Sequence, residues 1–191
     1  RDAAAIVFVM DTFGGRVDSA GQIRDVLLEA DVPTVVYVDH RAISAGALVT
    51  YAADTIVFAP GATMGAATPI ELSGGEAEAV DEKFVSYMRA EMRATAEAKG
   101  RRGDIAEAMV DRTLAVEGID AEGQLLTVTT AQALEMGLAD GTADSLDALL
   151  EALGLEHADR VSASPGWAEQ LARFVTDPAV AGILMSIGML G

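Results

Sequence analysis

A serine followed by two small residues, Ser44-Ala45-Gly46 within RAISAG, stands between a short apolar run and a stretch of helix formers. A serine at such a strand-to-helix junction points its hydroxyl across the edge of a sheet, beside the free amides of a helix start. That is where a nucleophile belongs, and it is equally where a helix-capping serine belongs. Gly14-Gly15 follows the first apolar run. Two glycines let the chain turn sharply and aim backbone amides outward, as stabilisation of an oxyanion requires, although the same pair serves as an ordinary turn. A serine hydroxyl attacks poorly until a neighbouring base removes its proton. His40, four residues before Ser44, reads as a polar strand-end residue, and His157 falls in a linker. The remaining bases are two lysines, Lys83 and Lys99. Lys99 stands in the last turn of its helix, where the helix dipole accounts for a cation. Lys83 shares a helical face with Val80, Phe84 and Tyr87, so its ammonium is expected to enter apolar surroundings. Such burial lowers a lysine pKa from about 10.4 towards working pH. A lysine that snorkels out of an apolar face fits the same pattern.

The elements that must hold these groups can be read from hydrophobic patterning. Ile6–Met10 is a continuous apolar run, expected to be a strand buried on both faces. A helix capped by Asp18 or Ser19 runs to about Glu29, Val35–Val38 makes a second strand, a short helix starts near Ser44, and Thr55–Phe58 makes a third strand. This alternation predicts an α/β fold with parallel strands, which place ligands where the strands end. Glu71–Glu78 reads as a flexible acidic loop around Gly74-Gly75. A helix is expected over Val80–Ala98, ended by Gly100, and a second over Asp104–Asp111. A strand at Leu125–Val128 and helices at Thr130–Met136 and Ser145–Leu153 complete a domain spanning residues 1–156.

Residues 157–191 read as a separate tail. His157–Pro165 is a polar linker. Trp167, Leu171, Phe174 and Val175 then form one helical stripe, as in a helix lying at a membrane interface or docked on protein. Beyond Pro178, the uncharged run from Ala179 to Gly191 falls short of the ~20 apolar residues a membrane span needs, and reads as the first half of one. An exposed apolar stripe also favours self-association. Lys+Arg total 13 against Asp+Glu 30, a formal net charge of −17. A surface so acidic repels phosphate backbones, which argues against nucleic acid as a partner. The chain has no cysteine, so disulfide and thiolate chemistry are excluded. No spacing of His, Asp and Glu suggests a metal, and no cofactor is expected.

Three segments taken together, DTFGGRVDSA, RAISAGAL and FAPGATMGAATPI, resemble the NfeD-type membrane-bound serine peptidases, or stomatin-operon partner proteins, of the ClpP/crotonase-like superfamily. The resemblance is close over Ile6–Ile70 and looser through TVTTAQALEMGLAD and the tail. It implies a ClpP/crotonase-like core of repeated βαβ units with helical additions, Ser44 as nucleophile and Lys83 as base. It further implies an oxyanion hole from the amides of Gly14 or Gly15 and of Ala45, with Gly65 and Ala66 lining a groove where substrate adds as a strand. The implied substrates are hydrophobic segments of membrane proteins such as stomatin-like partners, cleaved by a membrane-anchored homo-oligomer with its peptidase domain outside the cytoplasm. The chain departs from the family pattern at Phe13, where proline is usual, and at Thr68, where histidine is common. A signal-peptide peptidase of the SppA type and a catalytically idle scaffold binding a stomatin-like protein are the alternatives. A crotonase-type acyl-CoA enzyme is a distant further one, since nothing in the chain selects an adenine nucleotide.

Overall fold

The computed structural model describes residues 3–73, 76–79, 81–116, 118–119 and 123–161. In chain order these form β1 (Ile6–Thr12), α1 (Val17–Leu28), β2 (Thr34–Ile43), α2 (Ala45–Tyr51), β3 (Thr55–Phe58), β4 (Thr63–Gly65), β5 (Ile70–Ser73) and β6 (Glu76–Ala79). There follow α3 (Glu82–Ala98), α4 (Gly103–Ala108), β7 (Thr127–Thr129), α5 (Thr130–Glu135), β8 (Gly141–Thr142) and α6 (Leu146–Ala152). The chain divides into two units between Glu156 and His157, and the first contains all of these elements. The tail helix expected at Trp167–Val175 and the apolar run after it lie outside the described residues.

The run of β-branched and aromatic residues Thr34–Val38 is fully buried because β2 is the central strand. It pairs in parallel with β1 on Ile6–Met10 and with β3 along Val35–Val38, then with β4 along Arg41–Ile43. The parallel strand β8 extends the sheet beyond β3, while β7 runs antiparallel to β4. The six-stranded sheet is therefore mixed, with its one antiparallel pair at an end. The first strand corrects an expectation. β1 was predicted to be buried on both faces, yet Ile6 and Val9 are exposed, because β2 is its one strand partner among the described residues.

The segment expected to be an acidic loop, Glu71–Glu78, instead contributes most of an antiparallel hairpin in which Ile70 pairs with Ala79 and Ser73 with Glu76. The adjacent helix α3 buries Met88, Met92, Thr95 and Ala96, spaced by fours and threes, and leaves Phe84 and Tyr87 half-exposed. Arg24 Nε donates to Thr95 Oγ1 at 2.8 Å, tying α1 to α3.

Polar groups lock the sheet at the end opposite the Ser44 junction. Buried Arg101 donates to the carbonyls of Ala53 and Leu138 and to Asp140, whose carboxylate also accepts the Ile56 amide. Next to it, Asp54 accepts from the amide and hydroxyl of Thr34, both at 2.8 Å, and from Lys99 Nζ at 2.6 Å. Partial burial alone would raise the Asp54 carboxyl, but the hydrogen bonds from Lys99 and Thr34 outweigh it and hold the group at about 2. That value lies below the roughly 3.9 of an unfolded aspartate, so its stabilisation is complete above about pH 4 and is lost as pH falls towards the folded value. The urea midpoint of Asp54→Asn should therefore lie below wild type at pH 6, and the gap should narrow between pH 4 and pH 2. A gap independent of pH would show that the Asp54 carboxylate contributes nothing through its charge.

Candidate active site

Ser44 occupies the junction between β2 and α2 in a backbone conformation rare for any residue with a side chain, φ 57° and ψ −125°. Holding a serine there costs on the order of 1–3 kcal/mol, and such strain persists only where the surroundings enforce it. Two contacts do so. The Ser44 amide donates to the Gly65 carbonyl at 2.9 Å, and its carbonyl accepts from the Ala47 amide at 2.9 Å. The capping alternative fails on geometry, because Ser44 sits at the N-cap position but its side chain makes no capping hydrogen bond. The hydroxyl is thus left for other use, at the start of a helix whose first amide, that of Ala45, has no intrahelical acceptor.

Gly14 approaches this serine closely. A Cβ added at Gly14 would lie 2.6 Å from Ser44 Cβ and 3.1 Å from its Oγ, and φ there is +115°. Only glycine satisfies both conditions. The turn is fixed from inside, since the Gly14 amide donates to Thr12 Oγ1 at 3.0 Å and the Thr12 hydroxyl donates to the Gly14 carbonyl at 3.2 Å. Of the two glycine amides expected in an oxyanion hole, that of Gly14 is therefore engaged. Beside Gly15 the turn is open, with nothing within 4 Å of a Cβ built there. Gly46 is required too: a Cβ there would meet Thr12 Cγ2 at 2.5 Å.

Gly65 and Ala66 lie next to Ser44, but the strand edge expected there is not free. Gly65 pairs with Ile43 on one side and with Thr127 on the other, and the Ala66 and Ala67 amides donate to Leu126 and Met109. Gly65 has φ +140°, and a Cβ on it would lie 2.4 Å from the Leu126 carbonyl oxygen. Ala66 is also at positive φ, 47°. These residues form a tightly packed floor under the serine. Thr68, where the family pattern favours histidine, donates its hydroxyl to the Val110 carbonyl at 2.6 Å and serves to anchor the segment.

Among the described residues no hydrogen bond joins Lys83 to Ser44. Lys83 lies in the first turn of α3, where its amide donates to the capping Asp81 carboxylate at 3.1 Å. Its Nζ is 3.7 Å from Asp81 Oδ2 and 5.0 Å from the centre of the Phe84 ring. The apolar enclosure predicted for its ammonium is missing, because the side chain is 68% exposed. Of the face it was grouped with, Phe84 and Tyr87 are half-exposed, and Val80 lies outside the described residues. Lys99 is the more enclosed lysine and is committed to Asp54, so its role goes beyond the helix dipole. His40 Nδ1 lies 3.0 Å from Asp39 and 3.6 Å from Asp11. Among the described residues no group of three or more His, Asp or Glu side chains converges to hold a metal.

A cleft of about 580 Å³ opens beside the serine junction, lined among others by Phe13, His40, Arg41, Ile43 and Asp144. Sequence reasoning about catalysis passed over Arg41. The signal available was a cation three residues before the serine.

The chain is similar to known proteins in sequence and in fold. The chain is 39% identical over its whole length to membrane protein NfeD1b of Bacillus subtilis, and 26% identical over 98% of its length to the membrane-bound protease PH1510 of Pyrococcus horikoshii. It spans 44% and 45% of those two relatives, less than half of each. Among solved structures it matches a lysine-to-alanine variant of the 1510-N membrane-bound stomatin-specific protease in complex with a substrate peptide. The TM-score is 0.74 at 25% identity, over 92% of this chain and 84% of that one. A serine-to-alanine variant of the same protease matches with TM-score 0.67 at 27% identity, over 78% and 69% of the two chains. ClpP1 from Listeria monocytogenes shares the fold, with TM-score 0.53 at 17% identity over 79% and 76%. The ClpP-like α/β architecture implied by the motifs is thereby borne out. Residues 1–163 match the family model described as NfeD1b, N-terminal domain, and the chain belongs to that family.

Proposed function

We propose that this chain carries a serine endopeptidase domain in which Ser44 attacks the peptide carbonyl and Lys83 takes its proton. The observation that carries this reading is the strained Ser44, held against Gly14 at the start of α2. Nothing in packing requires a serine there, whereas a nucleophile on a sharp strand-to-helix turn does. Attack converts the carbonyl oxygen to an oxyanion, and two amides fixed in advance stabilise that charge without reorganising. The bond to the leaving nitrogen then breaks as Lys83 returns the proton, and water releases the acyl group by the same route reversed.

Lys83 must move for this to happen. Among the described residues its ionic partner is an exposed Asp81 at 3.7 Å, and such pairs are worth about 0–1 kcal/mol, so little holds it outward. The solved relatives include one variant lacking a serine and one lacking a lysine, the latter with peptide bound, which supports a dyad of these types. The relative's description as stomatin-specific supports hydrophobic segments of stomatin-like membrane proteins as substrate. An idle scaffold binding the same partner is separated from an enzyme by a fluorophosphonate probe, which should label wild type and leave Ser44→Ala unlabelled. Absence of labelling together with absence of peptide cleavage would favour the scaffold.

Residues 1–156 are the peptidase domain in this reading, and 157–191 a linker, an amphipathic helix and the start of a membrane segment. The relatives are named as membrane proteins, while among the described residues no helix is long and apolar enough to cross a bilayer. In this reading the tail contributes to anchoring, the peptidase domain is extracytoplasmic and the chain self-associates. Deleting Trp167–Gly191 should leave the catalytic fold intact, abolish flotation with liposomes and reduce oligomer size. Unfolding of the shortened chain would instead make the tail part of the core.

A further inference from the structure

The turn that presents Gly14 and Gly15 has a second brace, and it comes from the serine's own strand. The pairing of β1 with β2 shifts register between Met10, opposite Val38, and Thr12, opposite Ala42. Asp11 alone therefore faces Asp39, His40 and Arg41. A bulge of this kind bends the strand and re-aims side chains, and bulges recur beside active sites. Here it turns Arg41 back over the end of β1. Arg41 Nε lies 3.0 Å from Asp11 Oδ1, and its guanidinium carbon is 4.5 Å from the centre of the Phe13 ring. The two residues it grips flank Thr12, whose hydroxyl holds Gly14.

The backbone of Arg41 is fixed meanwhile by pairing with Thr63 of β4, three residues before Ser44. One side chain thus couples the strand that carries the serine to the turn that carries the glycines. Phe13 is 75% exposed and packs into no core, so hydrophobic burial does not explain its position. A guanidinium stacks on an aromatic face and forks onto a carboxylate at once, which an ammonium cannot do.

We propose that Arg41 is a positioning residue for the oxyanion turn: paired with Asp11 and stacked on Phe13, it fixes Gly14 and Gly15 relative to Ser44. The inference rests on the peptidase reading for its kinetic consequences, but not for its structural ones. Arg41 touches no reacting atom in this account. It sets where the Gly15 amide points, so its loss should slow the chemical step and leave substrate binding alone. Complete loss of one oxyanion donor costs about 10²–10³-fold in kcat, and loosening a donor that remains present should cost less, about tenfold.

The test uses the full chain with five forms: wild type, Arg41→Met, Arg41→Lys, Phe13→Leu, and the Arg41→Met/Phe13→Leu pair. Each is assayed for kcat and KM on a peptide substrate and for hydrogen exchange in the segment 11–16. Arg41→Met should lower kcat about tenfold with KM within about twofold, and Arg41→Lys should fall between it and wild type. Phe13→Leu should lower kcat about threefold, and adding it to Arg41→Met should cost almost nothing further, because both remove one contact. Exchange in 11–16 should accelerate in Arg41→Met while the thermal midpoint holds.

Multiplicative effects in the double variant would overturn the proposal, as would a rise in KM alone, which would make these residues substrate contacts. Accelerated exchange throughout the sheet with a lower midpoint would reduce Arg41 to a structural residue. Phe13, being exposed, still tests the clamp if Arg41→Met fails to fold. If wild type neither cleaves peptide nor reacts with a fluorophosphonate, the peptidase reading fails while the exchange measurement still decides the clamp. Unchanged exchange in segment 11–16 then overturns it.

Discussion

Ser44→Ala and Lys83→Ala should each lower peptide hydrolysis by about 10⁴–10⁶-fold, the range seen when one member of a nucleophile–base pair is removed. Neither change should unfold the protein. Alanine at Ser44 retains the backbone and deletes a hydroxyl that makes no capping bond, and Lys83 is exposed. The double variant should be no slower than either single one, because nucleophile and base act as a unit. Lys99→Ala is the control that separates chemistry from packing. It should keep its activity but lose stability, since its ammonium is 2.6 Å from Asp54 and only 15% exposed. Loss of hydrolysis in the Lys99 variant comparable to that in Lys83→Ala would overturn the choice of base.

Gly14→Ala should be nearly as damaging to activity, for a different reason. The new methyl group would lie 2.6 Å from Ser44 Cβ, inside any normal contact, on a backbone at φ +115°. Either the turn or the serine must shift by roughly an ångström, and a displacement of that size at a reacting centre costs about 10²-fold or more. Stability should fall by about 1–3 kcal/mol, the usual scale for forcing a side chain into a disfavoured conformation. Gly15→Ala provides the contrast, because nothing lies within 4 Å of a Cβ there. A Gly14 variant with wild-type kcat would show that the turn does not need to abut the serine. Urea titration alongside the kinetics distinguishes loss of fold from loss of alignment.

The placement of Ser44 was legible because the signals on both sides of it are local. Thr34–Val38 is a continuous run of β-branched and aromatic residues, ALVTYAA favours helix, and a polar residue between them sits near the strand end. The neighbourhood of Gly14 and Gly65 was legible through the resemblance, since no local pattern states that Leu126 will approach Gly65 from the antiparallel β7. Four things were not legible. β4 and β8 run for three and two residues, too short for any alternation to register. The β5–β6 pairing hid behind acidic residues and glycines, whose composition reads as loop although Ile70–Ser73 and Glu76–Ala79 pair antiparallel. The outward face of α3 was misjudged because Phe84 and Tyr87 carry the helical period as well as Met88 and Met92 do, and periodicity alone does not say which stripe meets the core. That error bears directly on the site, since it placed Lys83 in apolar surroundings it does not have. Arg41 escaped notice for a related reason: its partners Asp11 and Phe13 lie on another strand, and the register shift that brings them together is not written in local pattern.

The central claim is that Ser44 is an activated nucleophile. Mass-spectrometric mapping of the fluorophosphonate adduct after proteolysis tests it most directly. The account predicts one adduct, on the peptide carrying Ser44, abolished in Ser44→Ala, strongly slowed in Lys83→Ala and unchanged in Lys99→Ala. An adduct on any other serine, or labelling of Ser44 at the same rate with and without Lys83, would contradict it.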